Sequence, residues 1–283
     1  MKESITKVLP MLQCYCGSKN IILNKEYKLF FCSDCKRKYM FENNIVHFIT
    51  EEDERPFWSE ALERSYNGVE FDMQLGYNQQ RKQLGNNTPI ESLYSFPEQF
   101  FDSIAKNKGI ILDLASGPSG YFAPLIDRLD KNSLFIATDA CPTLIKAHSR
   151  ANKTSNFLVF DIDLDKPLPF RNDSIDAFCG NLIMNVEEYK NLIKEAFRAL
   201  KQGGSYSVIE VFYEKGSSTY EYLINKGAVY SSIETYINFC KTVGFSLIDS
   251  KVIVEKTGKI NENDLLPLNN NDKWRIQIVR LKK

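Results

Sequence analysis

The stretch that decides the fold reads Ile110-Ile111-Leu112-Asp113-Leu114-Ala115-Ser116-Gly117-Pro118-Ser119-Gly120. Its apolar first half is typical of a buried strand. The small residues that follow allow the backbone to turn sharply and to approach a ligand closely. The next residues, YFAPLIDRL, indicate a helix, and the first N–H groups of such a helix face the same ligand. The stretch therefore predicts a strand, a glycine turn and a helix that bind a ligand together.

After about Phe96 the chain alternates strand-like apolar runs with amphipathic helical stretches, which is typical of a parallel α/β sheet. Two late apolar runs are expected to close this sheet as an antiparallel pair. The predicted strands cover 109–116, 134–140, 156–163, 174–184, 205–212, 245–254 and 273–281, and the predicted helices cover 121–129, 142–151, 189–201 and 236–244. The expected fold class is α/β, with a Rossmann-like, mostly parallel sheet.

Aspartates stand at the ends of the first three predicted strands. Asp139 follows Gly117 by 22 residues and ends the second strand, at the place where nucleotide-binding folds put an acid on the ribose hydroxyls. Asp113 and Asp161 hold similar positions on the first and third strands. Because the carboxyl ends of parallel strands share one edge of the sheet, these three carboxylates are expected to converge there.

These segments resemble the class I S-adenosylmethionine methyltransferases over residues from about 96 to 283. LDLASGPSG is similar to the first motif of that family, TDA to its acidic second motif, and FDIDLDKPLPFRNDSIDAF to the third and fourth motifs. LIKEAFRALKQGGSYSVIE is similar to the helix, glycine turn and strand that follow. Ala115 and Ser119 stand where the family often has glycine. No G-x-G-x-x-G is present, which favours S-adenosylmethionine over NAD or FAD.

The resemblance implies S-adenosylmethionine as the cofactor and assigns positions around it. It implies that the turn at Gly117 packs on the methionine portion and that Asp139 holds the ribose hydroxyls. It places Asp161 and Ile162 at the adenine, and Asn181 opposite the methyl-transfer position. The full predicted cofactor set is Asp113, Ala115, Gly117, Asp139, Ala140, Asp161, Ile162 and Asn181.

No catalytic residue is predicted. Transfer of a methyl group from a sulfonium neutralises its positive charge, so the donor needs little activation. A base is needed only if the acceptor must lose a proton. The strand-end residues that are candidates for binding the acceptor or accepting that proton include Asp163, Asn181, Asn185, Glu210 and Tyr213. The two histidines are expected to be structural, with His47 packed in an apolar run and His148 on a solvated helix surface.

Four of the seven cysteines cluster near the N-terminus as Cys14-x-Cys16 and Cys32-x-x-Cys35. An odd total without a secretion signal argues against a disulfide framework, whereas four thiolates from two turns are the ligands of a closed, structural zinc site. The segment resembles the zinc ribbons in front of some rRNA guanine methyltransferases, although Cys-x-Cys replaces the usual Cys-x-x-Cys. Spacing alone leaves free thiols, a redox pair or an iron–sulfur cluster as alternatives.

Charge and length divide the chain into three expected parts. Residues 1–50 carry a net charge of +4 within a chain that is neutral overall, so the remaining residues carry −4. We expect a zinc ribbon over 1–50, a linker and substrate-covering helical segment over 51–94, and a methyltransferase domain over 95–283. The N-terminal residues lack a signal or transit peptide, and no apolar run approaches the length of a membrane helix. A cytoplasmic location without membrane association is therefore expected.

The methyl acceptor is left open between a small molecule, a peptide and an RNA base. The zinc ribbon favours RNA through its basic residues Lys36, Arg37 and Lys38, whereas the neutral total charge does not. A base-methylation motif of the Asn/Asp-Pro-Pro-Tyr type is absent, since the corresponding site reads Asn181-Leu182-Ile183-Met184. The alternative is a non-catalytic, cofactor-binding scaffold whose ribbon binds a partner, although three retained strand-end acids argue against it. The sequence does not predict an oligomeric state.

Overall fold

The computed structural model describes residues 3–26, 28–66, 98–118, 122–152, 154–259 and 265–283. Most of the predicted covering segment, from residue 67 to 94, lies outside the described residues. The glycine turn is described as far as Pro118, so Ser119 and Gly120 also lie outside them.

One mixed sheet of eleven strands organises the described residues. The central strands are apolar along their whole length because both faces of the sheet are covered, and β5, β6 and β7 are buried at every position. The strands are β1 Ile21–Asn24, β2 Leu29–Cys32, β3 Lys38–Glu42, β4 Ile45–His47, β5 Ile110–Leu114, β6 Leu134–Asp139, β7 Phe157–Asp161, β8 Ile175–Asn181, β9 Leu200–Tyr213, β10 Ser246–Thr257 and β11 Lys273–Lys282.

The strand order is β1-β2-β3-β4-β7-β6-β5-β8-β9-β11-β10. Strands β7, β6, β5, β8 and β9 run parallel to one another, while β11 pairs antiparallel with both β9 and β10. The predicted mostly parallel arrangement is confirmed for the central strands, and β11 and β10 are the predicted antiparallel closing pair. The chain reverses its direction of winding between β5 and β8, which is where open α/β sheets bind ligands.

Four helices lie where the apolar periodicity predicts them, three of them with shifted ends, and the other helices were not predicted individually. The strand predicted over 174–184 ends at Asn181, because Leu182 adopts a left-handed backbone with φ of 55°. The helices are α1 Glu3–Val8, α2 Phe57–Tyr66, α3 Glu98–Ala105, α4 Ala123–Ile126, α5 Pro142–Ala151, α6 Tyr189–Ala199, α7 Ser218–Asn225 and α8 Ile233–Val243. None of these helices in the described part of the chain combines the length and apolarity that crossing a membrane requires.

The cysteine-containing ribbon continues the main sheet. Strands β1 to β4 form an antiparallel meander, and β4 then pairs in parallel with β7, with His47 opposite Asp161. Phe48 packs on Phe160 of β7 with ring centroids 5.4 Å apart. This pairing was not predicted from the sequence. It brings residues 3–26 and 28–66, here called the N-terminal segment, to the carboxyl edge of the sheet.

Candidate functional site

The glycine turn after β5 is held by polar side chains that close it onto β6. Ser116 Oγ donates to Asp113 Oδ2 at 2.6 Å, and Thr138 Oγ1 donates to the carbonyl of Asp113 at 2.7 Å. Ala115 and Gly117 both adopt positive φ, at 51° and 61°. Left-handed backbone costs a residue with a Cβ about 1 kcal/mol or more, so the surrounding bonds must fix this shape.

Asp139 links the turn to the end of β6. Its Oδ2 accepts a hydrogen bond from the Gly117 N–H at 2.9 Å, and its Oδ1 accepts from the N–H groups of Ala140 and Cys141 at 2.8 and 2.9 Å. Burial raises the pKa of this carboxyl to about 6, although the three N–H donors favour the ionised form. Asp139 therefore shapes the turn and keeps a lone-pair direction on Oδ2 beyond the Gly117 bond.

His148 supports the same turn from α5, and the expected solvated position is wrong. Its ring is fully buried, and Nε2 lies 2.8 Å from the carbonyl of Gly117, which makes Nε2 the protonated nitrogen. Burial lowers the pKa of His148 to about 4, so the ring is neutral at physiological pH. The face of α5 that carries His148 packs on Phe122, with the ring centroids 5.2 Å apart, and is therefore excluded from solvent.

Asp161, beside Asp139 on the next strand, is covered by the N-terminal segment. Arg55 donates from Nη1 to Oδ1 and from Nη2 to Oδ2, both at 2.9 Å, and His47 Nδ1 lies 2.8 Å from Oδ2. The carboxylate is 1% exposed. The expected contact of Asp161 and Ile162 with adenine stays a prediction, and the side chain of Ile162 is itself fully buried.

Helix α2 lies across the start of α5. Ser59 Oγ donates to the carbonyl of Ala140 at 2.6 Å. Glu63 accepts from the backbone N–H and the hydroxyl of Thr143, both at 2.9 Å, and so caps the N-terminus of α5. The predicted covering segment therefore begins with a helix that is bonded directly beside Asp139.

On the other side of β5, Asn181 ends β8 and is partly exposed at the carboxyl edge. The turn after it is fixed by Glu210 of β9, whose Oε1 accepts from Ile183 N–H at 3.1 Å and from Tyr189 Oη at 2.8 Å. Glu210 is fully buried, and burial raises its pKa to about 8. Its Oε2 has no hydrogen-bond partner among the described residues.

The four N-terminal cysteines form one cluster, with their sulfurs all within 4.8 Å of one another. Sγ of Cys14 is 3.5 Å from that of Cys35, and Sγ of Cys16 is 3.7 Å from that of Cys32. A zinc tetrathiolate with Zn–S bonds of about 2.3 Å has S–S edges of about 3.8 Å, so the sulfurs fit a tetrahedral metal site. Tyr39 Oη lies 3.0 Å from Cys14 Sγ, where its hydroxyl can donate a hydrogen bond to that sulfur and orient it toward a metal.

The basic residues of the ribbon are only partly available to a ligand. Arg37 forms an ion pair with Asp53 and lies over the ring of Tyr15, 5.6 Å from its centroid. Lys36 Nζ donates to the carbonyl of Ser33 at 2.6 Å. Beside them is a groove of about 1470 Å³, in which Lys36 and Lys38 share the lining with Glu42, Glu51, Glu52, Glu54 and Glu60. This groove carries more carboxylates than unpaired cations.

The structure brings the predicted cofactor residues to one edge. Asp113 lies within β5 and is followed after its end by Ala115 and Gly117. Asp139 ends β6 before Ala140, Asp161 ends β7 before Ile162, and Asn181 ends β8. Four features of the site were not predicted from the sequence: Arg55, Ser59, Glu63 and the inward position of His148. For the first three no local pattern gave a signal, because each contacts a residue more than 75 positions away. The apolar periodicity of α5 could have shown that His148 lies on its buried face.

Comparison with known proteins identifies the fold of this edge and its surroundings. Residues 112–208, about a third of the chain, match the family model described as a methyltransferase domain. Geranyl diphosphate C-methyltransferase from Streptomyces coelicolor A3(2), in complex with Mg²⁺, geranyl-S-thiolodiphosphate and S-adenosyl-L-homocysteine, superposes with a TM-score of 0.54 at 12% identity, over 80% of this chain and 98% of that one. A putative sarcosine dimethylglycine methyltransferase from Galdieria sulphuraria gives a TM-score of 0.50 at 13% identity, over 80% and 97%.

A search among curated proteins finds no significant match to the sequence. At such low identities the structural likeness shows the fold alone. The chain therefore has the fold of these methyltransferases, and residues 112–208 match a methyltransferase domain, while the acceptor is not identified.

Proposed function

We propose that this protein is an S-adenosylmethionine-dependent methyltransferase that acts on a small molecule or a peptide. The observation that carries the proposal is the strand-end cluster within a methyltransferase fold. In that cluster the Asp139 carboxylate is bonded to the backbone of the Gly117 turn across two adjacent strands. Such a turn and acid, side by side at the carboxyl edge, are the parts that bind a nucleoside joined to a charged tail.

Space at the turn supports this ligand. A Cβ added to Gly117 would come within 4 Å of only one atom among the described residues, the carbonyl oxygen of Ala115 at 3.7 Å. Ala115 and Gly117 are partly exposed, whereas Asp113 and Ser116 between and beneath them are buried. Within the described part of the chain, the turn thus presents backbone to an open space, and the side chains that shape the turn lie behind it.

When bound, S-adenosylmethionine supplies a methyl group on a sulfonium, whose sulfur is a good leaving group without further activation. The residues of the chain then have to orient the acceptor and exclude water. Asn181 lies at the end of β8, where its amide can hold the acceptor by hydrogen bonds. Glu210 fixes the neighbouring turn through Ile183 and is too buried to reach a solvent-exposed acceptor. No base is assigned, in keeping with an acceptor that reacts through a lone pair.

Charge at the ribbon favours an acceptor other than RNA. Two of the three cations that would neutralise phosphates, Lys36 and Arg37, already bond within the ribbon and to Asp53. The adjoining groove is rich in glutamate, which repels a polyanion. A small molecule or a peptide meets no such barrier.

We further propose that the cysteine cluster binds one structural zinc ion. All four ligand positions are filled by Cys14, Cys16, Cys32 and Cys35, so no position is left for a reacting water. Its proposed role is to hold β1 to β4 in shape, since so small a ribbon buries too little apolar area to fold unaided.

The activity is tested by incubating the protein with methyl-labelled S-adenosylmethionine and separated pools of metabolites, peptides and RNA. Label that appears in the metabolite or peptide pool and is lost in an Asp139→Ala variant supports the proposal. Label in the RNA pool alone overturns the acceptor class. Tight binding of S-adenosylmethionine without transfer to any pool favours the scaffold alternative.

A further inference from the structure

We propose that Asp161 anchors the N-terminal segment on the cofactor site and that Arg55, held by this anchor, forms a wall of the adenosine subsite. The inference rests on the proposed binding of S-adenosylmethionine and changes the expected role of Asp161. The residue acts through Arg55 and His47, and its side chain does not read the adenine directly. Arg55 becomes the residue that contacts the ligand, although it lies before the methyltransferase domain in the sequence.

The Asp161 carboxylate already has a cation as its partner, whereas Asp139, which also accepts three hydrogen bonds, accepts them from backbone N–H groups. A carboxylate offers about four acceptor positions, and three are taken by the two nitrogens of Arg55 and by His47 Nδ1. The bidentate guanidinium bond is among the stronger hydrogen bonds that a carboxylate forms. An adenine amino group is a neutral donor and would have to displace it, at a carboxylate that is 1% exposed.

The backbone at Asp161 is used in the same way. Its carbonyl accepts from the N–H groups of Phe48 and Ile49 at 2.9 and 3.2 Å, directly after β4 has paired with β7. The side chain and the main chain of this one residue therefore both bind the N-terminal segment. A residue that only recognised a ligand would not need contacts to a strand more than 100 positions away.

Arg55 spans the ends of two strands. In addition to Asp161 on β7, its Nη1 donates to the carbonyl of Ala140 just after β6, next to the Ser59 hydroxyl on the same oxygen. Asp139 and Asp161 are directly opposed in the β6–β7 register. The guanidinium thus lies at the two strand ends that flank the proposed adenosine subsite.

The chemistry of Arg55 suits a purine. Its side chain remains 27% exposed, while its nitrogens are bonded to Asp161 and Ala140. A guanidinium fixed at its edge in this way leaves its planar face for stacking on an aromatic ring. The ligand class predicted for this wall is therefore a purine base, held by stacking and by neighbouring backbone groups.

A double-mutant cycle on the full chain separates the two roles of Asp161. Calorimetry with S-adenosylhomocysteine measures affinity for the parent, Arg55→Ala, Asp161→Asn and the double variant. We expect each single substitution to weaken binding about tenfold or more, and the double variant to bind no more weakly than Arg55→Ala. The inference is overturned if Asp161→Asn weakens binding by the same factor with and without Arg55, or if both single variants bind as the parent does.

Arg64→Ala is the matched control on α2, because Arg64 is 67% exposed and its recorded ion partner, Glu60, lies one turn away on the same helix. We expect parental affinity from it. If Arg55→Ala fails to fold, Arg55→Lys takes its place, since lysine keeps the charge and loses the bidentate geometry. Parental affinity in a folded Arg55→Lys variant contradicts the inference.

Amide hydrogen exchange of the ligand-free protein keeps this inference distinct from the proposed function. Asp161→Asn should speed exchange of the Phe48 and Ile49 amides at least tenfold, whatever the ligand is. A parent that binds no S-adenosylhomocysteine defeats the proposed function and, with it, the purine wall. Unchanged exchange in a parent that does bind defeats the anchor alone.

Discussion

Replacing Glu210 with glutamine tests how the buried end of β9 responds to pH. Burial raises the pKa of this carboxyl from 4.5 to about 8, against hydrogen bonds from Tyr189 and Ile183 that lower it. The folded protein therefore keeps a proton that the unfolded chain releases above about pH 4.5. The stability that depends on this proton is fully present below pH 4.5 and is lost as the pH rises through 8.

The size of the effect follows from that pKa difference. At about 1.36 kcal/mol for each tenfold change in the acid constant, the parent loses up to about 5 kcal/mol of unfolding free energy from this group between pH 4.5 and 9. Glutamine keeps the acceptor oxygen for Ile183 and Tyr189 and does not titrate in this range. Between pH 4.5 and 9 the parent should therefore lose a few kcal/mol of unfolding free energy relative to Glu210→Gln.

Urea unfolding of both proteins at intervals from pH 5 to pH 9 measures this difference. Asp139 and Asp163 also have raised pKa values, but they are present in both proteins and cancel in the comparison. Glu60→Gln serves as the control, because that carboxylate is 56% exposed on α2. Parallel stability curves for the parent and Glu210→Gln would refute the account of a protonated, buried Glu210.

Three further predictions concern the ligands. Asp139→Ala should weaken the binding of S-adenosylmethionine at least tenfold by calorimetry, since one hydrogen bond to a charged carboxylate contributes about 1.5 to 3 kcal/mol. Unchanged affinity would contradict the ribose assignment. Elemental analysis should find one zinc per chain in the parent and none in Cys35→Ser, and iron, or no metal in the parent, would rule out zinc. The affinity of Cys35→Ser for S-adenosylmethionine should also fall, because Tyr39 contacts Cys14 and packs on Phe48 with ring centroids 4.8 Å apart. RNA binding should be weak, and its dependence on salt concentration should be the same when Lys36, Arg37 and Lys38 are all changed to alanine. An RNA affinity that falls steeply with salt in the parent and less steeply in this variant would support an RNA acceptor.

The parallel sheet could be predicted from the sequence because its signals are local. Runs such as Ile110–Leu114 and Phe157–Asp161 are apolar throughout, as strands buried on both faces must be. Their polar last residues then mark the carboxyl edge. The ends of a strand differ from the predicted ones where contacts with a neighbouring strand extend it. Strand β9 begins at Leu200 and not at the predicted Ser205, and there Lys201 bonds Asp176 of β8 at 2.8 Å.

The cover of the site could not be predicted in this way. Arg55 and Asp161 are 106 residues apart, and nothing in the spacing of either marks the other as its partner. The three-residue strand Ile45–His47 is too short to indicate which edge it joins. Both contacts depend on the tertiary fold. The acidic residues of the site could therefore be predicted from the sequence, but the residues that cover them could not.

The most direct test of the central claim is calorimetric titration of the purified protein with S-adenosylmethionine and, separately, with NAD. We predict one S-adenosylmethionine bound per chain, comparable binding of its demethylated product, and no measurable binding of NAD at the same concentrations. Preference for NAD, or no heat of binding with S-adenosylmethionine, would contradict the assignment of the Gly117 turn and Asp139 to a methyltransferase cofactor site.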